Sequence, residues 1–295
     1  MRSRPPHRIL CFGEVLWDCL PTGRLPGGAP LNVAYHLSRL GADPRMISAV
    51  GADALGDEIL SYLTARGLDT TFIHRQRRLP TGVVTVALNA SGQPSYTIEE
   101  PVAWDDIAGA GEWRAAVLGA EAIVFGSLAA RTAANRGALD ELLATPKLLR
   151  VMDVNLRAPF DERELVLALA TRADWLKLNE HELAVLSGRA PIAGSWAESL
   201  RPAIEVLAAA TGCRRICVTG GERGAVAWSD GALVHAAAPE IIVQDTIGAG
   251  DAFTAAFVLG LLKAPGDTHA ILEHACALGA LVASLPGGQP DYQLP

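Results

Sequence analysis

The chain has 295 residues, of which 50% are hydrophobic and 19% are charged. This composition excludes a disordered chain, and the length suffices for one or two domains with a large core. The formal net charge is −7, from 25 basic and 32 acidic side chains, which argues against a broad nucleic-acid-binding surface. The basic start at residues 1–8 is followed by an apolar run that Gly13 and Glu14 interrupt, so it does not predict a secretory signal, and no apolar run is long enough to span a bilayer.

The cysteines indicate a reducing environment. There are 5 of them, an odd number, and no two have zinc-ligand spacing, so we interpret them as free and mostly buried thiols. We therefore expect a cytoplasmic protein without a nucleic-acid or membrane partner. None of the 7 histidines has ligand spacing either, and we interpret His36 and His181 as surface or packing residues.

The N-terminal third predicts strands that alternate with helices. The predicted elements are a strand at 8–12, a helix at 31–40 ended by Gly41, a strand at 46–50 and a helix at 55–66 ended by Gly67. Residues 81–87 and 95–99 then predict a hairpin around the turn Asn89–Gly92. We interpret segments 13–26 and 81–100 as a small β lid, and the alternative is an ordinary hairpin at the sheet edge.

Two polar side chains of this third are candidates for ligand binding. Gly27 and Gly28 precede the first helix and let the backbone approach a ligand, with Asn32 in the first helical turn. Asn32 is either a ligand-binding residue or a helix cap. Asp18 has apolar neighbours, and it either accepts hydrogen bonds from a polyol or pairs with nearby backbone.

From residue 122 onward strands and helices alternate regularly. The predicted strands are 122–125, 148–154, 175–178 and 215–218, with an antiparallel pair at 226–228 and 233–235. The predicted helices are 132–143, 162–171, 180–186, 196–210, 251–262 and 268–284. This order predicts one α/β domain over residues 1–295, with three α/β/α layers and a mostly parallel sheet. In such sheets ligands bind outside the carboxyl ends of the strands.

The most informative stretch is Asp245-Thr246-Ile247-Gly248-Ala249-Gly250-Asp251. It follows Ile241–Val243, which we predict to be a short buried strand, and it precedes an almost wholly apolar helix. The glycines and the free N–H groups of the first helical turn favour a bound phosphate. Asp251, beside such an anion, has the chemistry to take a proton from an attacking hydroxyl. The alternative is a Gly-rich turn in which Asp251 only starts a helix.

Other polar residues follow the predicted strands. Asn179 and Glu182 lie three apart on one helix face and, with Asp245, either bind a hydrated Mg²⁺ or cap the helix. The loop over 219–224 suits either a nucleotide or a hairpin turn. Arg157 suits a phosphate or a sugar hydroxyl. The chain contains neither a P-loop nor the protein-kinase motifs, and its first strand is not followed by a dinucleotide fingerprint.

Two motifs in combination resemble the PfkB (ribokinase-like) family of carbohydrate kinases. The motifs are Gly27-Gly28-Ala29-Pro30-Leu31-Asn32-Val33-Ala34, with Leu40-Gly41 and Val50-Gly51-x-Asp53-x-x-Gly56, and Asp245-Thr246-x-Gly248-Ala249-Gly250-Asp251. Between them Asn179-x-x-Glu182 and Thr219-Gly220-Gly221-Glu222-x-Gly224 match in order and spacing. The segments around Trp17-Asp18, Trp104-Asp105 and Asp153-x-Asn155-x-Arg157 look like bacterial fructokinases of this family.

The resemblance implies a ribokinase-like fold and ATP-dependent phosphorylation of a sugar hydroxymethyl group. By that similarity Asp251 is the base, a weak one whose charged form the helix N-terminus stabilises, and Gly248, Ala249 and Gly250 form the anion hole. The sugar would contact Asp18, Gly28, Asn32 and Arg157. The nucleotide side would comprise Lys177, Asn179, Thr219, Gly221 and Gly224, together with Gly248 and Gly250 of the anion hole.

The resemblance also implies cofactors, a substrate and a partner. Glu182 would order Mg²⁺ through water, and K⁺ would bind between the Asp245 loop and residues 282–288. The expected reaction is fructose to fructose 6-phosphate. The alternatives are a 2-keto-3-deoxygluconate kinase, a ribokinase, a nucleoside kinase or, more remotely, a non-catalytic binding protein. Family members also form homodimers through the lid.

Overall fold

The computed structural model describes residues 5–20, 23–88, 94–190 and 194–294. The strands are β1 (Arg8–Phe12), β2 (Leu16–Leu20), β3 (Gly23–Gly27), β4 (Asp43–Gly51), β5 (Ile73–Gln76), β6 (Gly82–Leu88), β7 (Pro94–Ile98), β8 (Ala122–Phe125), β9 (Leu149–Asp153), β10 (Trp175–Asn179), β11 (Arg215–Thr219), β12 (Ala225–Ser229) and β13 (Ala232–Ala236). The helices are α1 (Ala29–Arg39), α2 (Ala54–Ala65), α3 (Ala133–Leu143), α4 (Arg163–Ala170), α5 (Glu180–Ser187), α6 (Trp196–Thr211), α7 (Ala249–Lys263) and α8 (Thr268–Ala283).

The larger sheet confirms the predicted α/β architecture. In the described part of the chain its order is β13-β12-β11-β10-β9-β8-β1-β4-β5. All neighbouring strands from β11 to β5 are parallel, and β12 and β13 run antiparallel at one edge. The sheet separates two hydrophobic clusters, one packed with α1, α7 and α8 and the other with α3 to α6. The carboxyl ends of the parallel strands therefore share one edge, where ligands bind in such folds.

Side-chain alternation and helix-end signals explain why these segments form these elements. In β1, Ile9 and Cys11 join one cluster, and Leu10 joins the other with Phe12. This two-residue period is that of a strand buried on both faces. At the start of α2, the Asp53 side chain accepts a hydrogen bond from the Gly56 N–H at 2.8 Å, which caps the helix.

The predicted hairpin belongs to a second sheet. Among the described residues this sheet has the order β3-β2-β6-β7, with β6 parallel to β2 and antiparallel to β7. The hairpin is therefore not an edge of the large sheet, and its role as a lid stays a prediction. Trp17 Nε1 donates to the Leu55 carbonyl at 3.0 Å and ties this sheet to α2. The predicted turn Asn89–Gly92 lies outside the described residues.

The strand predicted at Ile241–Val243 is wrong. These residues form no strand, and Ile242 is 91% exposed. The prediction relied on three consecutive β-branched residues, but no strand of either sheet pairs with this segment in the described structure. Instead the chain runs irregularly toward α7, and the N–H groups of Gln244 and Asp245 both donate to the Ala283 carbonyl.

The remaining predictions about buried residues agree with the structure. The five cysteines are free, and all except the partly exposed Cys19 are buried. His36 is fully buried in the packing and His181 is exposed. No helix in the described part of the chain is long and apolar enough to cross a membrane.

Candidate active site

The start of α7 forms the predicted anion-binding turn. Gly248 precedes the helix in the left-handed region, with φ 76°, and its carbonyl accepts the Ala252 N–H at 2.8 Å. A Cβ at Gly248 would lie 2.5 Å from the Gly288 Cα, so glycine is required here. The N–H groups of Gly250 and Asp251 precede the first intrahelical donor, the Ala252 N–H, and so have no partner within the helix. The turn can therefore donate to a phosphate.

Asp251 meets Asn32 across the packed helices α1 and α7. Asn32 Nδ2 donates to Asp251 Oδ2 at 2.8 Å, and Asn32 is only 7% exposed. Gly28 precedes α1 with φ 109°, and a Cβ there would lie 2.3 Å from the Glu14 carbonyl oxygen. The two motifs predicted from the sequence thus meet at one point. Asn32 does not use its side chain to cap α1, so the capping alternative is excluded.

The protonation of Asp251 differs from the expectation. Burial, followed by the charge of Asp153, raises the pKa of Asp251 to about 6, although the Asn32 hydrogen bond and the charges of Lys177 and Arg157 lower it. The prediction that the helix N-terminus stabilises the charged form is therefore corrected, since burial outweighs that effect. A carboxylate with this pKa is a better proton acceptor than an ordinary aspartate and is still mostly ionised at neutral pH.

Two further acidic side chains, Glu14 and Asp18, share the influence of Arg157. Burial raises the pKa of Glu14 to about 7 and that of Asp18 to about 6, and the nearby charge of Arg157 lowers both. The Arg157 side chain is exposed, and its Nη1 donates to the Leu156 carbonyl at 3.0 Å. Arg157 therefore lies close enough to influence both Asp18 and Asp251, and the sugar contacts of the three side chains stay a prediction.

Lys177 lies in a buried cluster below the anion-binding turn. Its Nζ is 3.0 Å from both carboxylate oxygens of Asp153, and the Thr254 hydroxyl donates to Asp153 Oδ2 at 2.8 Å. Burial acts to lower the pKa of Lys177, but the neighbouring carboxylates, Asp153 first, outweigh it and the pKa is raised. Lys177 therefore stays charged in the interior, and its expected contact with a nucleotide stays a prediction.

Asn179 and Glu182 form the helix cap that was the alternative to a magnesium site. Asn179 Oδ1 accepts the Glu182 N–H at 2.9 Å, and Glu182 Oε2 accepts the Asn179 N–H at 2.8 Å. Glu182 Oε1 accepts the Leu156 N–H at 2.9 Å, so both carboxylate oxygens are occupied. No group of three or more His, Cys, Asp or Glu side chains in the described segments could hold a metal ion directly. A magnesium role through water stays a prediction.

The Asp245 loop lies against the segment that follows α8, as predicted. Asp245 Oδ1 accepts the Ile247 N–H at 3.0 Å, and Oδ2 accepts the Gly287 N–H at 2.9 Å. Because both oxygens already accept backbone donors, the Asp245 side chain shapes this loop. Binding of Mg²⁺ or K⁺ to it stays a prediction.

The loop between β11 and β12 forms a tight hairpin turn, which was one of the two interpretations of residues 219–224, the other being a nucleotide-binding loop. Gly224 has φ 86°, and a Cβ there would lie 2.0 Å from the Ala236 carbonyl oxygen. The Gly220 N–H donates to the Gly224 carbonyl at 2.9 Å, and Gly221 also has positive φ. Thr219 ends β11 at the carboxyl edge of the sheet. The nucleotide contact predicted for this loop stays a prediction.

Comparison with known proteins decides the family. Residues 5–294 match the family described as pfkB family carbohydrate kinase. The chain belongs to the pfkB family of carbohydrate kinases. A fructokinase of Klebsiella pneumoniae is 30% identical over 292 residues, 92% of this chain and 88% of the relative. An aminoimidazole riboside kinase of Salmonella typhimurium is 30% identical over 315 residues, 98% of this chain and 93% of the relative.

The same family appears among solved structures. The crystal structure of a sugar kinase from Pyrococcus horikoshii in complex with ATP has a TM-score of 0.80 and 26% identity, over 95% of this chain and 94% of the other. This protein is therefore a pfkB carbohydrate kinase with the ribokinase-like fold that the two motifs implied.

Two buried polar residues of this pfkB kinase contact the candidate site and were not predicted as site residues. Glu14 is 4% exposed, and its Oε1 accepts the Ala29 N–H at 3.2 Å. The charge of Asp251 contributes to the raised pKa of Glu14. In the sequence Glu14 directly follows the first strand and belongs to the stretch 13–18 that looks like bacterial fructokinases, but no role was assigned to it. Gln289 is 8% exposed and its Nε2 donates to Asn32 Oδ1 at 2.8 Å. No motif marks Gln289, because it lies 257 residues from its partner.

Replacement of Glu14 by glutamine should stabilise the kinase at alkaline pH. The folded-state pKa of Glu14, about 7, exceeds the usual value of 4.5, so the wild type loses stability as pH rises from 4.5 through 7. Glu14→Gln keeps the acceptor for the Ala29 N–H and removes the buried charge, so the free energy of unfolding at pH 8 should rise by about 2 kcal/mol. Urea unfolding at pH 5 and pH 8 measures this. The exposed Glu240→Gln is the matched control, and an unaltered pH dependence in Glu14→Gln would contradict the assignment.

Proposed function

We propose that this kinase transfers the γ-phosphate of ATP to a hydroxymethyl group of a ketose, with D-fructose as the acceptor and fructose 6-phosphate as the product. The observation that carries the proposal is the hydrogen bond from Asn32 to Asp251, which joins the acceptor side to the anion-binding turn. The names of 30%-identical relatives support fructose, and the ATP complex of the Pyrococcus horikoshii kinase supports ATP as the donor.

In the proposed mechanism the sugar lies between Asp18, Arg157 and Asn32, against the backbone at Gly28. The oxygen of the attacking sugar hydroxyl forms a bond to the γ-phosphorus, and an Asp251 carboxylate oxygen accepts the proton of that hydroxyl. The bond from that phosphorus to the β-bridging oxygen breaks, and ADP leaves. The transition state of such transfers is loose, so positioning and charge stabilisation supply most of the catalysis.

The anion-binding turn supplies the charge stabilisation in this proposal. The anion hole would be formed by the backbone at Gly248, Ala249 and Gly250, at the positive end of the α7 dipole, where negative charge on the transferring phosphate is stabilised. The Ala249 N–H donates to the Thr246 carbonyl at 3.3 Å, so the N–H groups of Gly250 and Asp251 are the available donors. Lys177 lies beneath this turn, with its Nζ 3.4 Å from the position of a Cβ on Gly250. Its charge would stabilise the same region and would place Lys177 on the nucleotide side of the site.

The cofactor side of the proposal is argued from the strand ends. Asn179, Thr219, Gly221 and Gly224 lie at or after the carboxyl ends of β10 and β11 and would contact the nucleotide. When bound with the phosphates, Mg²⁺ would neutralise their charge and keep several waters, with Glu182 reaching it through water. K⁺ would lie between the Asp245 loop and residues 282–288, held by backbone carbonyls. The β2-β3-β6-β7 sheet would serve as the lid and as a homodimer contact.

A second candidate acceptor is an acidic sugar such as 2-keto-3-deoxygluconate. The observation that favours it is the exposed guanidinium of Arg157, whose described hydrogen bond goes only to the adjacent Leu156 carbonyl. A guanidinium group in this arrangement can donate to a carboxylate as well as to neutral hydroxyls.

Replacement of Arg157 distinguishes the two acceptors. If Arg157 contacts hydroxyls, Arg157→Gln should raise KM for fructose roughly tenfold and leave kcat within a few-fold, since one charged hydrogen bond is lost. If it contacts a carboxylate, the loss in kcat/KM should be larger for the keto-acid than for fructose. Initial rates against acceptor concentration measure this, with Arg77→Gln as the exposed control. An unchanged KM for every acceptor would remove Arg157 from the sugar site.

The proposed function is tested by ADP release from the purified kinase with ATP, Mg²⁺ and K⁺. The acceptors are fructose, ribose, 2-keto-3-deoxygluconate, tagatose and adenosine. The highest kcat/KM on fructose is expected. A preference for the keto-acid would keep the mechanism and change the substrate. ATP binding without activity on any acceptor would favour the non-catalytic alternative.

The free thiols further support a reducing compartment such as the cytoplasm.

A further inference from the structure

The segment that follows α8 returns to the active site and is held there. His36 Nε2 donates to the Gly288 carbonyl at 3.1 Å. Arg66 Nη1 donates to the Gln289 carbonyl at 2.9 Å. His36 lies in α1 and Arg66 directly follows α2. These two hydrogen bonds give the backbone around Gly288 and Gln289 a defined position against α1.

The Gln289 side chain continues this contact to the proposed base. Its Nε2 lies 2.8 Å from Asn32 Oδ1 and 3.4 Å from the Pro26 carbonyl oxygen. Asn32 Nδ2 in turn lies 2.8 Å from Asp251 Oδ2. Two amides therefore connect a backbone carbonyl at one end with the Asp251 carboxylate at the other.

The two ends of this connection determine how both amides are turned. The Pro26 carbonyl and the Asp251 carboxylate only accept hydrogen bonds, so each must face an NH₂ group. Gln289 then presents its NH₂ to Asn32 Oδ1, and this leaves Asn32 Nδ2 for Asp251. Gln289 adds a second constraint on Asn32, because turning the Asn32 amide over would then place NH₂ against NH₂ at Gln289 as well as oxygen against oxygen at Asp251.

The remaining atom of the Gln289 amide indicates that the residue is not there for stability. Gln289 Oε1 is buried and has no hydrogen-bond partner in the described part of the chain. A buried acceptor without a partner destabilises a fold, and this cost offsets the stability that the Gln289 hydrogen bond to Asn32 contributes. A buried polar residue that adds little stability beside an active site is commonly explained by function.

We propose that Gln289 is a positioning residue for phosphoryl transfer, which holds the Asn32 amide in the orientation that donates to Asp251. The inference rests on the proposed role of Asp251 as the base. The other charged groups that act on Asp251 are Asp153, Lys177, Arg157 and Glu14, and none of them contacts Gln289 in the described hydrogen bonds.

The test is the pH dependence of kcat in Gln289→Met, which keeps the size and removes the donor. At saturating ATP and fructose, or the acceptor that the panel identifies, the acid limb should move upward by about one pH unit because Asp251 loses a donor to its charged form. The Tm should change little, because the unsatisfied Gln289 Oε1 is removed while Asn32 Oδ1 loses its donor. Gln293→Met, on the exposed part of the same segment, should change neither quantity.

The same measurement on Gln289→Leu tests a second apolar side chain, which is branched. Asn32→Ala, alone and combined with Gln289→Met, completes a double-mutant cycle. In the Asn32→Ala background, Gln289→Met should cause no further shift, whereas independent effects would add. An acid limb equal to that of the wild type in folded Gln289→Met would overturn the inference. A large drop in Tm for both apolar variants would also overturn it, since the role would then be structural. If Asp251→Asn keeps wild-type turnover, the proposed function fails instead.

Discussion

Asp251→Asn should lower kcat by roughly 10²–10⁴, the usual effect of losing a general base. The amide nearly matches the carboxylate in shape and can still meet Asn32, so ATP and sugar binding should persist. The experiment compares kcat with the dissociation constants of both ligands from calorimetry. Asp230→Asn, in the exposed turn between β12 and β13, is the matched control at the opposite edge of the sheet. Turnover close to wild type would remove Asp251 from the proton transfer.

Lys177→Met should cause the largest loss of stability among the site variants. Lys177 is 6% and Asp153 5% exposed, so the substitution leaves a buried carboxylate without its cation. Loss of one partner of such a pair costs about 3–5 kcal/mol of unfolding free energy. Activity should also fall at neutral pH, because the charge of Lys177 lowers the pKa of Asp251. Chemical unfolding at pH 7 and the pH dependence of kcat measure the two effects.

The double variant Asp153→Asn with Lys177→Met separates charge from packing. The asparagine remains neutral and can still accept the Thr254 hydroxyl, so the double variant should be more stable than Lys177→Met alone. Lys263→Met, at the exposed end of α7, should change stability little. A double variant less stable than Lys177→Met would show that the ion pair is not the origin of the loss.

Most of the fold could be predicted because its signals are local. In β1 the short apolar run Ile9–Phe12, which is typical of a strand buried on both faces, is visible within five residues. The glycines at 28 and 248 are likewise local, since each allows a backbone conformation that a neighbouring turn requires. The strand predicted at Ile241–Val243 was wrong because a strand requires a partner strand, and three β-branched residues do not indicate whether a partner is available.

The energetics of the site could not be predicted for the same reason. The helix N-terminus beside Asp251 is visible in the sequence, but the burial and the Asp153 charge that reverse its effect come from distant parts of the chain. Asn32 and Asp251 are 219 residues apart, and only the family resemblance brought them together in advance. Gln289 had no such motif, so its contact with Asn32 appears only in the folded chain.

The pH dependence of kcat in the wild type and in Asp251→Asn tests the central claim most directly. The claim is that Asp251, with its pKa of about 6, accepts the proton of the sugar hydroxyl. Since only the ionised carboxylate can accept a proton, wild-type kcat should fall as pH drops through about 6, and the residual activity of Asp251→Asn should lack that limb. A wild-type kcat that stays flat down to pH 4.5, or an identical limb in both proteins, would contradict the account.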